Sequence, residues 1–505
     1  MSYCSFPDSF MDILYIHPAK QEVEARYDKY RSCPPYPFIP VGVIGLVNML
    51  RSEGFAVQGL NLPVELILRP TFDLRQWLAA RRQPPKLVMV DLHWYEHAFG
   101  ALEVVRAVKD VFSNSAVVIG GLTTTYFADE ILDHFPQVDF AIRGDAETPL
   151  QKLAAYVCRG EGELDDIPNL VWRHEGAATS SPHFYSATTT DLDALDFVTL
   201  DWLQNHRAYA ALQYSGAGLI ALHKPTHLSH WLTVGRGCVF NCIYCGGGKA
   251  SHNELAGRSG YVTRSPEAVV DDIARLAHDG FQQVALSLDI ATFPPVWWRT
   301  FFRLLRERQV RIGIYNEFFQ LPSSEFLDDL GATADMQHTE VAISPLSGAE
   351  KVRRQNGKFY TNDRFLGMLQ TLKKYEVPIF IYFSLNLPGE TFQTFKQTLS
   401  LADRIGKTYP SRLLRMLNPC HTLDPVSPMS RQPEKLGMTV KYHTFHDYYQ
   451  YSKGTAWQPK HTVRGQHRGF EMKERPTPMV EQMAQIWDMF AKAQPFRCFP
   501  VPYGW

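Results

Sequence analysis

Three cysteines, Cys238, Cys242 and Cys245, crowd into eight positions with the spacing C-x3-C-x2-C. Soft thiolates hold iron, and three on one loop wrap one face of a [4Fe-4S] cube, leaving the fourth iron open to a further ligand. A structural zinc site is the competing reading. Zinc normally wants four ligands, often as two C-x2-C pairs. The only local histidines, His230 and His252, stand at spacings no common zinc motif uses. The spacing therefore predicts a cluster. Gly235 and Gly237 precede the loop, where missing side chains let the backbone turn tightly. Gly246, Gly247 and Gly248 follow it and allow close backbone approach to a small ligand. The chain has eight cysteines in 505 residues, too few for a disulfide framework. The crowding of three of them favours a metal cluster in a reducing compartment.

The elements that must position this loop are strands and helices in alternation. Strand candidates are Met11–Ile16, Ala56–Leu60, Lys86–Leu92, Ala116–Ile119 and Val138–Ile142, with helical stretches between them. Lys86–Leu92 is almost wholly apolar, as a parallel strand covered on both faces should be. Five such units predict a doubly wound, Rossmann-like α/β domain within residues 1–160. Residues 161–225 are turn-rich and read as a linker with minor strands. A second alternating run follows, with strands at Trp231–Val234, Val284–Ser287, Val310–Tyr315, Glu340–Ile343, Ile379–Ser384 and Leu413–Leu417. Six strand–helix units predict a partial barrel over residues 226–420, with ligands at the strand C-termini. Residues 421–505 are rich in Pro, His and aromatics and read as a C-terminal cap or substrate domain.

The stretch GRGCVFNCIYC, followed by SGYVTRSPEAVVDDIARLAHDGFQQVALSLD, resembles the core of radical S-adenosylmethionine (SAM) enzymes that carry an N-terminal cobalamin-binding domain. PVGVIGLVNMLRSEGF, VVIGGLTTTYFADEIL and VDFAIRGDAETPLQKL resemble segments of that domain. VRRQNGKFYTND and LNLPGET resemble the later half of the barrel, and LDPVSPMSRQPEKLGM a tail of some members. The resemblance covers roughly residues 10–455. It implies three cofactors, namely the [4Fe-4S] cluster, SAM and cobalamin, with an electron donor such as flavodoxin or ferredoxin. It also implies that the reduced cluster cleaves SAM to a 5′-deoxyadenosyl radical that abstracts hydrogen from an unactivated carbon. In methylating members methylcobalamin then delivers the methyl group. SAM is expected near Tyr244, Gly246 and Gly247, with Asp289 after the second barrel strand and Ser344 and Arg354 after the fourth. The alternative role for Asp289 is to cap the next helix.

The D-x-H-x-x-G motif of many cobalamin domains is absent, its place taken by Ile16–His17–Pro18–Ala19. After the third strand His93 either ligates cobalt, or Trp94 shields an unligated face, or His93 is an ordinary turn histidine. Gly120 and Gly121 would let the nucleotide tail pass close to the fourth strand. Gly144 and Glu147 sit after the fifth, at the ligand edge of such sheets, with turn and capping duty as the alternative.

Other constellations are weaker. His93–Trp94–Tyr95–Glu96–His97 spells an inverted zinc-protease signature, but His93 falls where a strand ends. His223, His227 and His230 have ligand-like spacing, broken by Pro225. His443, His446 and Asp447, with Phe445, Tyr448, Tyr449, Tyr451, Trp457 and Phe470, hint at a pocket for a large lipid- or tetrapyrrole-like substrate. Lys plus Arg total 51 against 52 Asp plus Glu, which argues against broad nucleic-acid binding. No apolar run approaches a membrane span and no leader is visible, so a cytoplasmic protein is expected. The function expected is a cobalamin-dependent C-methyltransferase. The alternatives are a radical cyclase, oxidase or carbon–carbon-joining enzyme, and a non-catalytic redox sensor. A methylthiotransferase acting on RNA would bring a cysteine-rich N-terminal domain that this sequence lacks.

Overall fold

The computed structural model describes residues 10–23, 36–214, 227–457 and 469–499. Strands β1 (Ile13–His17), β2 (Val57–Asn61), β3 (Leu87–Asp91), β4 (Ala116–Gly120) and β5 (Phe140–Ile142) run parallel in the order β2-β1-β3-β4-β5. The first three are buried at every position, because helices cover both faces and leave no room for the alternation of a half-exposed strand. Strand order reverses between β1 and β3. The crevice at their C-termini is where such a sheet receives a ligand.

Of the stretch expected as a linker with minor strands, residues 161–214 are described. β6 (Leu170–His174) and β7 (Ala177–Ser180) extend the same sheet as antiparallel strands beyond β5. Trp202 and Tyr209 are buried against it. The Trp202 indole occupies the space over Gly59, where a Cβ would come within 2.5 Å of the ring.

The second sheet is the partial barrel. It is parallel throughout, in the order β18-β15-β14-β13-β12-β11-β8. Its strands are β8 (Ser229–Leu232), β11 (Gln283–Leu286), β12 (Gly313–Phe318), β13 (Glu340–Leu346), β14 (Ile379–Phe383), β15 (Leu414–Leu417) and β18 (Arg497–Cys498). Helices starting at Pro266, Ser324 and Asn362 cover its outer face. Each is begun by a Ser or Thr side chain that accepts a backbone N–H, which fixes where the chain turns into the helix. Between β8 and β11 the chain makes a hairpin, β9 (Gly235–Cys238) with β10 (Gly260–Thr263).

The described residues after 420 pack on both domains. β18 adds a seventh strand to the barrel, and Trp487 on helix Thr477–Lys492 is buried in the barrel core. A small hairpin, β16 (Met438–Val440) with β17 (Phe470–Met472), buries Phe470 beneath the cysteine loop. Helix Phe445–Thr455 packs on the first domain instead. Phe445 and Tyr448 are buried against Phe127, with ring centroids 5.7 and 5.6 Å away, and Tyr95 lies 5.2 Å from Tyr448. The aromatic-rich tail is therefore interdomain core, not a substrate pocket. Asp447 belongs to the capping box of that helix, while His443 and His446 are exposed. Phe445→Ala should cost about 3–5 kcal/mol, the usual range for a fully buried Phe, read as a lower urea midpoint with an unchanged slope. No helix of the described residues is long and apolar enough to cross a membrane.

Candidate cofactor site

The cluster loop leaves the barrel at β8 and is held from three sides. Beneath it the β9–β10 hairpin pairs Cys238 with Gly260. A Cβ on Gly237 (φ +90°) would lie 2.1 Å from the Gly260 carbonyl oxygen, and one on Gly235 2.6 Å from that of Val262. These glycines are thus required by the returning strand more than by a tight turn. From the fourth strand's side, Gly357 presses on Cys242, where a Cβ would come within 2.9 Å of its Sγ. From the C-terminal third, Asp424 accepts the Gly246 N–H at 3.1 Å and Met429 N–H donates to the Ile243 carbonyl at 2.9 Å.

The three thiols face one cavity of ≈ 1290 Å³. Backbone N–H groups of Phe240 and Gly247 point at the Cys238 and Cys245 sulfurs, at 3.4 and 3.3 Å. Burial pushes both thiols up, Cys245 to about 12. They are therefore protonated until iron binds, and iron binding must release those protons. Among the described residues no three ligands converge as they would on a single metal ion. That suits a cluster, in which each thiolate binds its own iron, and not a zinc site. The donor set and the N–H groups aimed at sulfur fit a [4Fe-4S] cluster.

The opposite wall of the cavity is the C-terminal edge of the first sheet. His93, Trp94, Gly120, Gly121 and Gly144 all line it. A Cβ on Gly120 would meet nothing within 4 Å, so the backbone there is open to a ligand. Gly121 (φ +116°) is pinned against the His93 backbone, and Gly144 adopts φ +64°. Beneath them Asp91 Oδ1 accepts the Tyr15 hydroxyl at 2.7 Å and lies 2.9 Å from His17 Nδ1. Asp91 Oδ2 is buried without a protein partner in a residue that lines the cavity. A buried, unpaired carboxylate oxygen costs free energy unless a ligand or water meets it. Burial lowers the pKa of His93, against the opposing effect of Asp91, so the ring is neutral and presents a lone pair. This edge fits a large polar macrocycle with amide groups, as cobalamin is.

Several expected site residues serve other ends. Glu147 does not line the cavity; it is paired with Arg236, two residues before Cys238, and Arg236 Nη1 also donates to Asp145 at 3.0 Å. Arg258 pairs with the other oxygen of Asp145. These four buried charges bridge the two domains. Asp289 is wholly buried and outside the cavity, its carboxylate accepting from Asn316 at 3.1 Å, from Phe319 N–H at 2.7 Å and from Ala291 N–H at 3.1 Å. Burial pushes its pKa up to about 6 against those hydrogen bonds. It caps the turn after β11, the alternative that the sequence allowed. Arg354 is exposed, and its neighbour Arg353 is spent on backbone carbonyls of Pro345, Ser347 and Tyr360. Gly246 packs on Pro425. Tyr244, Gly247 and Ser344 do line the cavity, with Tyr244 edge-on to His421 at 4.9 Å.

Lys358, Asp91, Arg236 and His252 also line the cavity, although the sequence reading assigned none of them to it. Lys358 is buried beside the three thiols and donates to the Phe319 carbonyl at 2.8 Å. Its only signal was its place in VRRQNGKF. Asp91 was visible as a charge ending an apolar strand. Arg236 sits between two glycines, and His252 on helix Lys249–Ala256 faces the first domain across the cavity. His230 is buried with Nε2 2.8 Å from the Phe197 carbonyl, and His227 stacks near His338. His223 lies outside the described residues. His93 and His97 are on a loop and a 3-10 turn, so the inverted protease motif never forms on one helix face.

Residues 232–402 match the family model of the radical SAM superfamily, and residues 28–154 match that of the B12 binding domain. The chain is a B12-binding radical SAM protein. This radical SAM protein is 23% identical over 311 residues to the anaerobic magnesium-protoporphyrin IX monomethyl ester cyclase of Rubrivivax gelatinosus, covering 60% of this chain and 52% of the cyclase. It is also 23% identical over 315 residues to a tRNA-2-methylthio-N(6)-dimethylallyladenosine synthase of Corynebacterium urealyticum, covering 61% and 50%. The chain thus spans about half the length of these curated relatives. Its fold is similar to that of the radical SAM methyltransferase TsrM from Kitasatospora setae with cobalamin and [4Fe-4S] cluster bound, at TM-score 0.66, 15% identity, 98% coverage of this chain and 92% of that one. The cofactors of this radical SAM protein are accordingly a [4Fe-4S] cluster, SAM and cobalamin.

Proposed function

We propose that the protein is a cobalamin-dependent C-methyltransferase that uses a SAM-derived radical to activate an unreactive carbon. The observation that carries this reading is the single cavity. The three cluster cysteines and the C-terminal edge of the B12-binding domain line opposite walls of it, so hydrogen abstraction and methyl delivery have one common space. When bound, the cluster supplies the electron that cleaves SAM, drawn from a donor such as flavodoxin or ferredoxin, and the corrinoid supplies a methyl group from a second SAM. The chain's own residues hold and shield. Cys238, Cys242 and Cys245 fix the cluster, Gly247 and Ser344 lie where SAM would approach it, and Tyr244 closes one side. His93 and Trp94, edge-on to each other at 4.9 Å, line the first-domain wall beside Asp91 and would hold or shield a bound corrinoid. Enclosure by two domains keeps water from a reactive radical.

The test is anaerobic reconstitution with iron, sulfide and hydroxocobalamin, then turnover of methyl-labelled SAM against candidate substrates. Retained cobalt, with 5′-deoxyadenosine and S-adenosylhomocysteine formed together and label in the product, supports methylation. Cobalt with 5′-deoxyadenosine but no label transfer would move the reading to a radical cyclase or oxidase, which the resemblance to the protoporphyrin ester cyclase favours as the second reading. No reductive cleavage of SAM at all would sink both.

A further inference from the structure

Side chains alternate across a strand, so every second residue of the barrel points inward. Those residues are Trp231, Ala285, Tyr315, Ala342, Phe380, Tyr382, Leu417 and Phe499, which form one cluster inside the barrel. The small residues are central: Ala285 and Ala342 stand on β11 and β13 between the large rings. Trp231 and Tyr315 meet edge to face at 5.6 Å on one side, and Phe380 and Tyr382 stack at 4.3 Å on the other. All four rings line the cavity that holds the cluster cysteines. The result is a slot between aromatic walls.

The slot carries directed polarity. Arg415 and Arg497 are register partners on β15 and β18 and both line the cavity. Arg415 is neutralised by Glu340. Arg497 has no carboxylate partner among the described residues, and its guanidinium lies 5.2 Å over the Phe499 ring. Gln213, only 3% exposed, accepts the Trp231 N–H at 2.9 Å through Oε1, while its Nε2 is a buried donor without a partner in the cavity wall. Arg497 is an exposed cation at the β18 edge of the slot, and the spare Gln213 amide N–H is a donor beside β8 at the other edge, while the cavity-lining Glu317 is engaged by the Tyr315 hydroxyl at 2.8 Å. A guanidinium beside aromatic walls suits an acceptor-bearing, negatively charged group on a flat ring.

We propose that the barrel lumen between Trp231, Tyr315, Phe380 and Tyr382 binds a planar aromatic substrate whose anionic group is received by Arg497. The proposal rests on the catalytic reading above, whose reactive carbon would then belong to this aromatic molecule or to a side chain it bears. A long aliphatic chain, even one ending in a carboxylate, would leave the aromatic walls without a flat partner.

The test is calorimetric titration of the full, cluster- and cobalamin-reconstituted protein with 2-naphthoate, its neutral analogue 2-naphthamide, and decanoate. Saturable 1:1 binding of 2-naphthoate, with none of decanoate, is expected. Arg497→Gln should weaken 2-naphthoate about ten- to a hundredfold, the range for a lost charge-assisted hydrogen bond, and leave 2-naphthamide as in the wild type. Ala342→Leu, which fills the slot, should abolish both, with its thermal midpoint checked to exclude misfolding. Decanoate binding as tightly as 2-naphthoate, or Arg497→Gln binding both naphthalenes unchanged, overturns the proposal. Wild-type protein that cleaves SAM yet ignores 2-naphthoate refutes the substrate class alone. Protein that binds 2-naphthoate but never cleaves SAM refutes the catalytic reading alone.

Discussion

A Cys242→Ala protein, reconstituted anaerobically with iron and sulfide, should retain no stable [4Fe-4S] cluster and form no 5′-deoxyadenosine from SAM and reductant. Cys242 is the middle ligand of the loop, and its neighbours already fill the available directions. Gly357 lies against its Cα and Sγ, and the Cys238 and Cys245 sulfurs take backbone N–H groups of their own. No nearby side chain can replace it: Asp424 is committed to Gly246, and Lys358 carries no lone pair while protonated. Because the alanine removes a sulfur from a half-buried loop already pinned from three sides, the fold should survive. Iron and sulfide content with the charge-transfer absorption band measure the first effect, and chromatographic detection of 5′-deoxyadenosine measures the second. A variant that keeps about four irons and cleaves SAM at the wild-type rate would remove the cluster assignment.

Removing the charge of Asp145 should have the second largest effect, on stability. Its carboxylate receives Arg236 and Arg258 from the hairpin under the cluster loop, and Ala187 N–H at 2.7 Å. Arg258 has 4% of its side chain exposed. Asp145→Asn leaves that guanidinium buried without a counter-charge, which costs about 3–5 kcal/mol. Denaturant melts should show the loss, and limited proteolysis should show easier cleavage between the domains. Cobalamin retention should fall with it, since the loop after β5 carries both Asp145 and the cavity-lining Gly144. A loss below about 1 kcal/mol would mean that water reaches the pair and screens it.

The same group sets an acid limit. Burial alone would raise the pKa of Asp145, but Arg236 and Arg258 outweigh it and hold the carboxyl below its ordinary value. A folded value below the unfolded one, roughly 3.9, means the contribution is complete above that pH and is lost as pH falls through the folded value. The wild type should therefore lose stability more steeply than Asp145→Asn when acidified below about pH 4.

Much of this protein was legible in its sequence because the relevant signals are local. Lys86–Leu92 reads as a buried strand because a parallel sheet sandwiched by helices makes every position apolar, and β3 occupies Leu87–Asp91. Helix Pro266–His278 forms behind a Ser265 side-chain cap and an early proline, which are local signals as well. The three cysteines were the clearest signal of all, since ligands on one eight-residue loop need no tertiary information to be brought together.

What the sequence did not determine is pairing at a distance. Glu147 and Arg236 are 89 residues apart, and Asp145 and Arg258 are 113 apart; only docking of two domains shows that Glu147 pairs with the hairpin and lies outside the cavity lining. The direction of a single side chain decided Asp289 against Ser344, both near strand ends, because a one-residue change of phase turns a side chain from the lumen to the wall. The aromatic tail failed for a similar reason. Aromatic density announces burial but not the partner, and the partners of Phe445 and Tyr448 proved to be Phe127 on the helix Leu122–His134 and, for Tyr448, Tyr95. The sequence by itself determined the grouping of three cysteines on one loop, the parallel strands of both sheets and their order along the chain, because these follow from local spacing and period. The tertiary structure alone decided the shared cavity, the charge bridge and the aromatic slot, because each is built from residues that meet only after the two domains close on one another.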